Sequence, residues 1–506
     1  MTIGTHNHQG SLLGKKYDKK ERQATDMHPP LMLPLPLDVT PVLPLSRRNK
    51  AMDGETDREH KVGKVVVNLE GINKVNKGNV DFLFSEIKKS TNVDDLLHNI
   101  TKCNEMMVGL NLFEGFPTVK LSKFNNSDII VNYNLKEKKN NYVVGTNVNN
   151  KGEITADFEI SIPYILKTIN CVEFKANISS IYSNNIAIRF LMPYINFLKG
   201  YKIILENNIS TINNTHSIPY SMITHSLKTY IQKNKHKIIW EINFNKLHHK
   251  INKNYIPSDR ILNLKDNHIK NSLKYIYKNN KLGYLTREKE NNNEDIIQKY
   301  VPYPTYGYYY EMENEISLPF CECKYAKNHF NFLYVKKIKK NLFSYIQFSN
   351  GIKYDYNVTR PYYFSNFNFT GSIGSSLIFR GFEHNSIGNK DINYHFNKKK
   401  KMYNIVYNYI GDNFFTNFQI LIKYIFNFKN LNPIFFCYLQ FGRLSNNLFS
   451  SFTKIKKDIR ISTGIGIMTY IQKNISLEFF LNYPIIYHLT DRTKYFQVGL
   501  NFKAVL

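Results

Sequence analysis

The 506-residue chain is 42% hydrophobic and 14% aromatic, and its formal net charge is +28. So many aromatic residues argue against a disordered chain. The lysines are spread among Asn-rich runs with no recognition motif, so nucleic acid is not an expected partner. The five cysteines are an odd number and do not make a disulfide framework, and Cys321 with Cys323 lacks the second pair of a zinc site.

The sequence has no segment that predicts a transmembrane helix. Such a helix needs about 18 uncharged apolar residues or more. The best run, residues 414–428, is broken by Lys423 and alternates. Any part of the chain that enters a membrane must therefore do so as strands. Residues 1–48 also lack the apolar core of a signal peptide, so export through a bacterial envelope is not expected.

Residues 1–60 predict a disordered leader. Six prolines lie between positions 29 and 44, and a polar run from Arg47 to His60 follows them. Proline-rich and polar segments of this kind bury too little apolar surface to fold. The first domain is therefore expected to begin near residue 61.

Residues 61–140 predict a small α+β domain. Its first strand carries three valines from Val65 and ends at Gly71, and its second helix starts at Asn92, whose side chain can cap it. Apolar residues recur at i, i+3, i+4 spacing as far as Leu110, so one face of this helix packs on a sheet. The predicted elements are a strand at 64–69, helices at 77–88 and 92–110, and strands at 116–124 and 128–137, with a turn at 125–127.

This order of strand, two helices and two strands resembles a POTRA domain, the polypeptide-transport module. Gly71 after the first strand and the segment from Leu110 to Phe116 between helix and strand belong to that resemblance. It implies that the domain takes part in polypeptide transport.

From residue 141 onward the sequence predicts strands. The first are at 142–148 and 154–162, and the chain from there to residue 506 is long enough for about 16 strands of roughly 10 residues. Between residues 207 and 298, Asn- and Lys-rich insertions blur the boundaries. Only the strands at 237–244 and 272–278 are distinct there.

The last strand alternates apolar with polar or small residues. The polar or small residues on one face include Gln497 and Gly499. The other face is apolar and suits lipid; it carries Phe496, Val498, Leu500, Phe502 and Ala504. Alternation alone is typical both of a soluble β-sandwich and of a transmembrane barrel.

Loop lengths favour the barrel. Connections between the last five strands alternate short and long, as in a barrel with tight turns on one rim and longer loops on the other. These strands are predicted at 414–426, 434–442, 459–471, 475–483 and 495–504. We therefore expect a transmembrane β-barrel of about 16 antiparallel strands at residues 141–506, preceded by the α+β domain at 61–140 and the leader at 1–60.

A four-residue motif immediately upstream of these five strands is more specific. Phe379, Arg380, Gly381 and Phe382 resemble the motif of the outer membrane protein 85 family (bacterial surface antigen domain), in which Arg-Gly-Phe follows an aromatic or aliphatic residue. The resemblance implies that the motif lies in the sixth outer loop, between strands eleven and twelve, and folds back into the lumen. A guanidinium group there needs partners on the wall.

Further segments resemble the family in the same order. Pro304 to Tyr308, followed by three glutamates, resembles the strand that opens its conserved C-terminal region, and Gly411 with Asp412 opens strand twelve. On strand thirteen, bacterial members have an aspartate where this chain has Gln440. Because an amide accepts a hydrogen bond but carries no charge, we expect a weaker, neutral partner for Arg380. The resemblance covers residues 61–506.

The last strand also resembles an address signal. Gln497, Gly499, Phe502 and Ala504 match the polar-x-Gly-x-x-hydrophobic-x-hydrophobic signal of mitochondrial barrel precursors, although any amphipathic last strand would produce a similar pattern. With one POTRA unit and no signal peptide, the chain resembles the core subunit of the mitochondrial sorting and assembly machinery (SAM complex). That resemblance implies an integral protein of the mitochondrial outer membrane, with the POTRA domain facing the intermembrane space.

The implied function is the insertion and assembly of β-barrel precursor proteins, with other SAM-type subunits and the lipid bilayer as partners. The first strand, through Tyr142, Val144, Thr146 and Val148, would form a lateral gate with the last strand. No nucleotide loop, catalytic triad or metal cluster has usable spacing, so neither enzymatic activity nor a cofactor is expected. Two alternatives are a plastid outer-envelope translocating channel of the same family and a passive solute pore.

Overall fold

The computed structural model describes residues 62–123, 128–148, 154–195, 200–213, 220–249, 255–289, 296–301, 303–356, 366–368, 379–426, 433–446, 457–472 and 475–505. The predicted leader at 1–60 and the predicted turn at 125–127 lie outside these residues. No helix among the described residues is long and apolar enough to cross a membrane.

The first described unit is a small α+β domain. Its elements are β1 (Val65–Glu70), three 3₁₀ turns (Lys77–Asn79, Asp81–Phe84, Ile87–Lys89), α1 (Val93–Gly109), β2 (Thr118–Lys123) and β3 (Ile129–Asn134). The sheet has the order β1-β3-β2, with β1 parallel and β2 antiparallel to the central strand β3.

Helix α1 has the N-terminal cap and the apolar face that the sequence predicts. The Asn92 side chain accepts a hydrogen bond from the Asp95 N–H at 2.7 Å and caps the helix. Leu96, Ile100 and Met107 lie on one face and are buried in the core of the domain.

The helix predicted at 77–88 is wrong in type, because the segment folds as the three 3₁₀ turns. The Asn76 side chain accepts from the Gly78 N–H, which favours a tight turn, and glycine destabilises an α-helix. Its apolar residues are still buried in the core, among them Val80, Leu83, Phe84 and Ile87.

The rest of the chain is built around a closed barrel of sixteen antiparallel strands, as predicted. Each strand pairs with its neighbours along the chain, and the last strand pairs with the first. The strands are β4 (Asn141–Val148), β5 (Ile154–Pro163), β6 (Cys171–Ser179), β7 (Asn185–Met192), β8 (Lys202–Asn213), β9 (Tyr220–Lys233), β10 (His236–His249), β12 (Asn267–Asn280), β15 (Gly307–Ser317), β16 (Tyr325–Lys339), β17 (Leu342–Asp355), β20 (Phe414–Ile425), β21 (Ile434–Ser445), β22 (Ile459–Gln472), β23 (Ile475–Ile486) and β24 (Phe496–Val505).

The barrel has two different rims. Strand β4 starts beside the small domain, so this rim is called the domain-side rim and the opposite one the outer rim. The eleventh strand ends and the twelfth begins at the outer rim, and the connection between them covers positions 356–413 of the chain. By contrast, β22 ends and β23 begins on the domain side, only two positions apart. The smaller elements in the connections are β11 (Tyr255–Ile256), α2 (Asp259–Leu262), β13 (Leu285–Lys289), β14 (Ile296–Tyr300), β18 (Lys390–Asn397) and β19 (Met402–Tyr409).

The two faces of the wall differ as the alternation predicts. On β23, Phe479 points outward and is 40% exposed, whereas its neighbour Glu478 points into the lumen and is 4% exposed. On β24 and β22, Phe496 and Ile465 face outward, and Gln497 faces inward. The outer surface is therefore apolar, as lipid requires, and the lumen is largely polar.

Candidate functional site

The candidate site is the lumen around the Phe379–Phe382 motif, together with the seam where the barrel closes. The motif belongs to the 356–413 connection, called loop six below. Both phenylalanines are fully buried and Arg380 is 8% exposed. Loop six thus folds back into the lumen between strands eleven and twelve.

Phe379 occupies a space that only a glycine on the wall leaves open. A Cβ atom built on Gly442 of β21 would lie 2.3 Å from Cε2 of Phe379. The Phe379 and Phe382 rings are 5.3 Å apart between centroids, and both belong to an apolar cluster with Phe415 and Leu444. Gly381 has φ +87°, a conformation that favours glycine.

The Arg380 guanidinium group is held by one carboxylate and three aromatic rings. Its Nη2 lies 3.5 Å from Oε1 of Glu478 on β23. Its Cζ lies 5.9, 5.4 and 5.3 Å from the ring centroids of Phe436, Tyr438 and Phe480, respectively. The rings attract a cation through their faces, so charge and aromatic contacts act together in a site with little water.

Gln440 contacts Arg380 in a way the sequence did not predict. Its Oε1 accepts from the backbone N–H of Arg380 at 3.1 Å, and its amide donates to Oδ1 of Asn417 at 2.9 Å. The charge of Arg380 is balanced by Glu478, two strands further along the wall. Sequence reasoning missed this role, although Glu478 is the single acidic residue on the inward face of β23.

The last strand holds the same motif through Gln497, which is 1% exposed. Its Oε1 accepts from the Gly381 N–H at 3.3 Å, and its Nε2 donates to the Phe382 carbonyl at 3.3 Å. Only an amide side chain can donate and accept at both places at once. The Lys494 N–H also donates to the Gly381 carbonyl at 2.9 Å, so loop six is bound beside the closing strand.

Loop six is anchored again at the outer rim. The buried carboxylate of Asp491 accepts from Lys390 Nζ at 2.9 Å and also binds Arg460, which joins the last outer loop to β18 and β22. Gly411 and Asp412 lie directly before β20, as the resemblance implies, and Asp412 accepts from the Asn389 N–H at 2.9 Å. Burial raises the pKa of Asp412 to about 7.

The seam joins β24 to β4 over six paired positions in the described residues. Phe502 pairs with Thr146 and Ala504 with Val144, while Leu500 pairs with Val148. Tyr142, Val144 and Thr146 share the outward face of β4, and Val143 points into the lumen. In the described residues the seam is the shortest ladder of the barrel, since β23–β24 and β6–β7 pair over seven positions each and β9–β10 over fourteen.

A belt of charged side chains follows the inner wall on strands two to nine, away from loop six. The sign changes between most neighbouring strands, and cations bridge the acids. Lys228, for example, lies 3.8 Å from Glu206 and 3.6 Å from Glu241. The belt comprises Glu159 (β5), Lys175 (β6), Arg189 (β7), Glu206 (β8), Lys228 (β9), Glu241 (β10), Lys270 and Lys274 (β12), and Glu313 and Glu315 (β15). Cross-strand ion pairs therefore link strands two and three, and strands four to nine.

The small domain is joined to the barrel through the turn between β5 and β6. The Tyr164 hydroxyl donates to the Leu112 carbonyl at 2.7 Å and accepts from the Lys138 N–H at 3.0 Å, and its ring lies in the core of the small domain. Phe82 stacks on Tyr194 of the β7–β8 connection with ring centroids 4.3 Å apart. The domain therefore lies beside the first strands of the barrel, next to the seam.

Two solved structures have folds similar to that of this chain. BamA from Haemophilus ducreyi lacking POTRA domains 1–3 has a TM-score of 0.65 and 15% identity, over 88% of this chain and 84% of that chain. The chain has a BamA-like barrel fold. CdiB from Escherichia coli is also similar, with a TM-score of 0.51 and 12% identity over 88% of this chain and 76% of that one. No family model and no curated protein matches the sequence.

The BamA-like barrel has a seam that could move and surfaces beside it that could bind a polypeptide. Among the described residues, no cluster of three His, Cys, Asp or Glu side chains could hold a metal ion. What the site contains is a buried loop bound to the last two strands, a short seam, and a small domain beside it. These parts can bind an extended polypeptide through its backbone.

Proposed function

We propose that this chain is a member of the outer membrane protein 85 family that inserts and assembles β-barrel precursor proteins in the mitochondrial outer membrane. The observation that carries the proposal is the seam, which joins the first and last strands over six positions. A seam of this length can open and present the edge of β4 to another strand. The BamA-like fold supports the same proposal.

The proposed mechanism follows from backbone hydrogen bonding. Lipid offers no partners for N–H and C=O groups, so a precursor strand that enters the membrane is stabilised by pairing with the free edge of β4. Folding of the client supplies the free energy. We propose that the chain is not an enzyme and needs no cofactor.

The small domain is proposed to be a POTRA domain in the intermembrane space. It lies on the domain-side rim, and the Tyr164 joint places it beside β4 and β5. A precursor that binds there would be close to the seam when the seam opens. The lipid bilayer and other SAM-type subunits are the further proposed partners.

Depletion tests the proposed function at the level of the cell. We expect assembled mitochondrial porin and the general import pore to fall before matrix import fails, and an N-terminally tagged copy to mark the mitochondrial rim. A tag that marks a plastid while mitochondrial barrels persist would move the function to plastid import.

A cross-link across the seam tests the mechanism. Asn147 and Asn501 are paired across the seam, so an Asn147→Cys, Asn501→Cys disulfide would lock it. A matched disulfide between Ala156→Cys and Ile178→Cys would lock β5 to β6 in the wall. We expect the seam lock alone to stop client insertion while the barrel stays folded, and normal insertion by the locked protein would exclude the gate.

A further inference from the structure

A second segment enters the barrel from the domain-side rim, opposite loop six. It belongs to the connection between β12 and β15, where the two strands continue to pair beyond the wall. The Lys281 N–H donates to the Tyr308 carbonyl at 2.9 Å and the Gly283 N–H to the Tyr306 carbonyl at 2.8 Å. After β13 and β14, the chain returns to the barrel through Val301, Tyr303 and Thr305.

Tyr303 is inserted among aromatic residues of the wall. It is 6% exposed, and its ring meets the Phe343 ring edge-on with centroids 6.2 Å apart. The Tyr345 hydroxyl donates to the Pro304 carbonyl at 2.6 Å and fixes the backbone beside Tyr303. Thr305 in turn donates its N–H to the Gly283 carbonyl at 2.8 Å.

The wall that receives Tyr303 is apolar, unlike the charged belt. Val335, Phe343, Ile425 and Ile434 lie at the domain-side ends of β16, β17, β20 and β21, and all four are buried in one cluster with Tyr303. Leu282 and Val301 pack against the same cluster. Apolar side chains that point into an aqueous lumen would be hydrated without this cover, so the segment and the wall stabilise each other.

The path of the chain shows that the segment carrying Tyr303 covers part of the domain-side mouth of the barrel. The segment leaves the wall at the eighth strand and returns at the ninth, yet it packs on the inner faces of strands ten to thirteen. It must therefore extend across part of the domain-side mouth to reach them.

We propose that Val301, Tyr303 and Thr305 form a plug that closes the domain-side mouth of the lumen. Loop six occupies the lumen from the outer rim, and the plug closes it from the other end. The lumen is then not an open solute path, and a polypeptide arriving beside the small domain meets the seam instead of a pore. This proposal does not depend on the identity of any client.

Thiol accessibility tests the plug directly. In a Cys437→Ser background, which removes an exposed neighbouring thiol, a cysteine introduced by Ile434→Cys lies under the plug. Its reaction with a membrane-impermeant methanethiosulfonate is followed by peptide mass in the full chain. Adding Tyr303→Asp places a charge in the apolar cluster and should displace the plug. We expect the reaction at position 434 to become at least about 10-fold faster, because a buried thiol reacts only when it is exposed.

Two further variants complete the test. Tyr182→Asp alters an exposed tyrosine on the outer rim and should leave the rate unchanged. Tyr345→Phe removes the hydrogen bond to Pro304 and keeps the ring, so the reaction at position 434 should become faster by a smaller factor. This mild variant keeps the test valid if Tyr303→Asp does not fold. Equal rates in the Tyr303, Tyr345 and Tyr182 variants, with all barrels folded, would overturn the proposal.

Discussion

Arg380 carries a full positive charge at a buried position inside the barrel, and the structure explains how that charge is tolerated. Glu478 supplies the opposite charge, three aromatic faces surround the guanidinium group, and Gln440 binds the backbone instead of the side chain. The motif is therefore held by two separable sets of contacts, one ionic and one through the peptide groups.

The ionic set can be tested with Glu478→Gln. This change leaves Arg380 buried without its counter-charge, and we expect the free energy of unfolding to fall by about 3 kcal/mol. Urea unfolding of the barrel in lipid vesicles measures the loss. As a matched control, Glu383→Gln alters a half-exposed acid on the same loop and should cost less than about 1 kcal/mol. Equal losses in the two variants would show that Glu478 does not stabilise Arg380.

The packing of Phe379 can be tested with Gly442→Ala. The new methyl group would overlap the Phe379 ring, so we expect the buried position of loop six to lose about 1–3 kcal/mol. Hydrogen exchange of peptides that cover residues 379–384 should become faster. The control is Gly109→Ala, because a Cβ there meets nothing within 4 Å. Unchanged exchange in the Gly442 variant would mean that the ring can move aside.

At the scale of whole elements, the two halves of the wall are stabilised differently. Ion pairs of the charged belt link strands four to nine, and strands two and three, whereas the strands that receive loop six present mainly amides, hydroxyls and apolar groups. Glu241 lies at the centre of the belt, within 4 Å of Lys228, Lys270 and Lys274.

Glu241→Gln should therefore destabilise the barrel strongly. Three buried or half-buried lysines would lose a shared counter-charge, and we expect a loss of about 3–5 kcal/mol in urea unfolding. Glu159→Gln is the matched change, since Glu159 is more exposed and contacts one lysine within the belt. If the two variants unfold alike, the belt is not a coupled network.

The joint between domain and barrel depends on the Tyr164 hydroxyl. Tyr164→Phe removes two hydrogen bonds, one to the Leu112 carbonyl and one from the Lys138 N–H, and should weaken docking of the domain by about 1–2 kcal/mol. Limited proteolysis between the domain and β4 should become faster. Unchanged proteolysis would show that the Phe82–Tyr194 stack and the hydrogen bonds to the Lys167 carbonyl hold the joint without the Tyr164 hydroxyl.

The same joint should depend on pH. Burial raises the pKa of Tyr164 to about 12, whereas an unfolded tyrosine has a pKa of about 10. The docked state keeps the proton that the released state loses, so docking weakens as the pH rises from about 10 towards 12. The Tyr164→Phe variant should lack this contribution, and an identical pH profile in both proteins would contradict it.

For the molecule as a whole, the seam is the place where the barrel is expected to open. Six paired positions join β24 to β4 in the described residues, against seven between β23 and β24 and fourteen between β9 and β10. Native-state hydrogen exchange should therefore show the lowest protection at the seam and high protection at β9 and β10. Uniform protection around the wall would argue against a lateral opening.

The sequence by itself predicted a barrel of about sixteen strands and the two faces of the last ones, but it left most strand boundaries between residues 207 and 298 open. Alternation and turn residues act locally, so Phe496 and Gln497 could be assigned to opposite faces before any contact was known. The position of loop six after the eleventh strand followed from counting strands. The helix predicted at 77–88 was wrong because the Asn76 side chain and Gly78 favour a tight turn there.

Only the tertiary structure decided which residues meet across the lumen. Glu478 faces Arg380, and Tyr303 reaches Phe343, because barrel closure and the stagger of sixteen strands bring together residues far apart in the chain. Those distances depend on every register around the wall, so no single segment contains them. The charged belt also depends on strand register. Its ion pairs form only where neighbouring strands place opposite charges at the same level along the barrel axis.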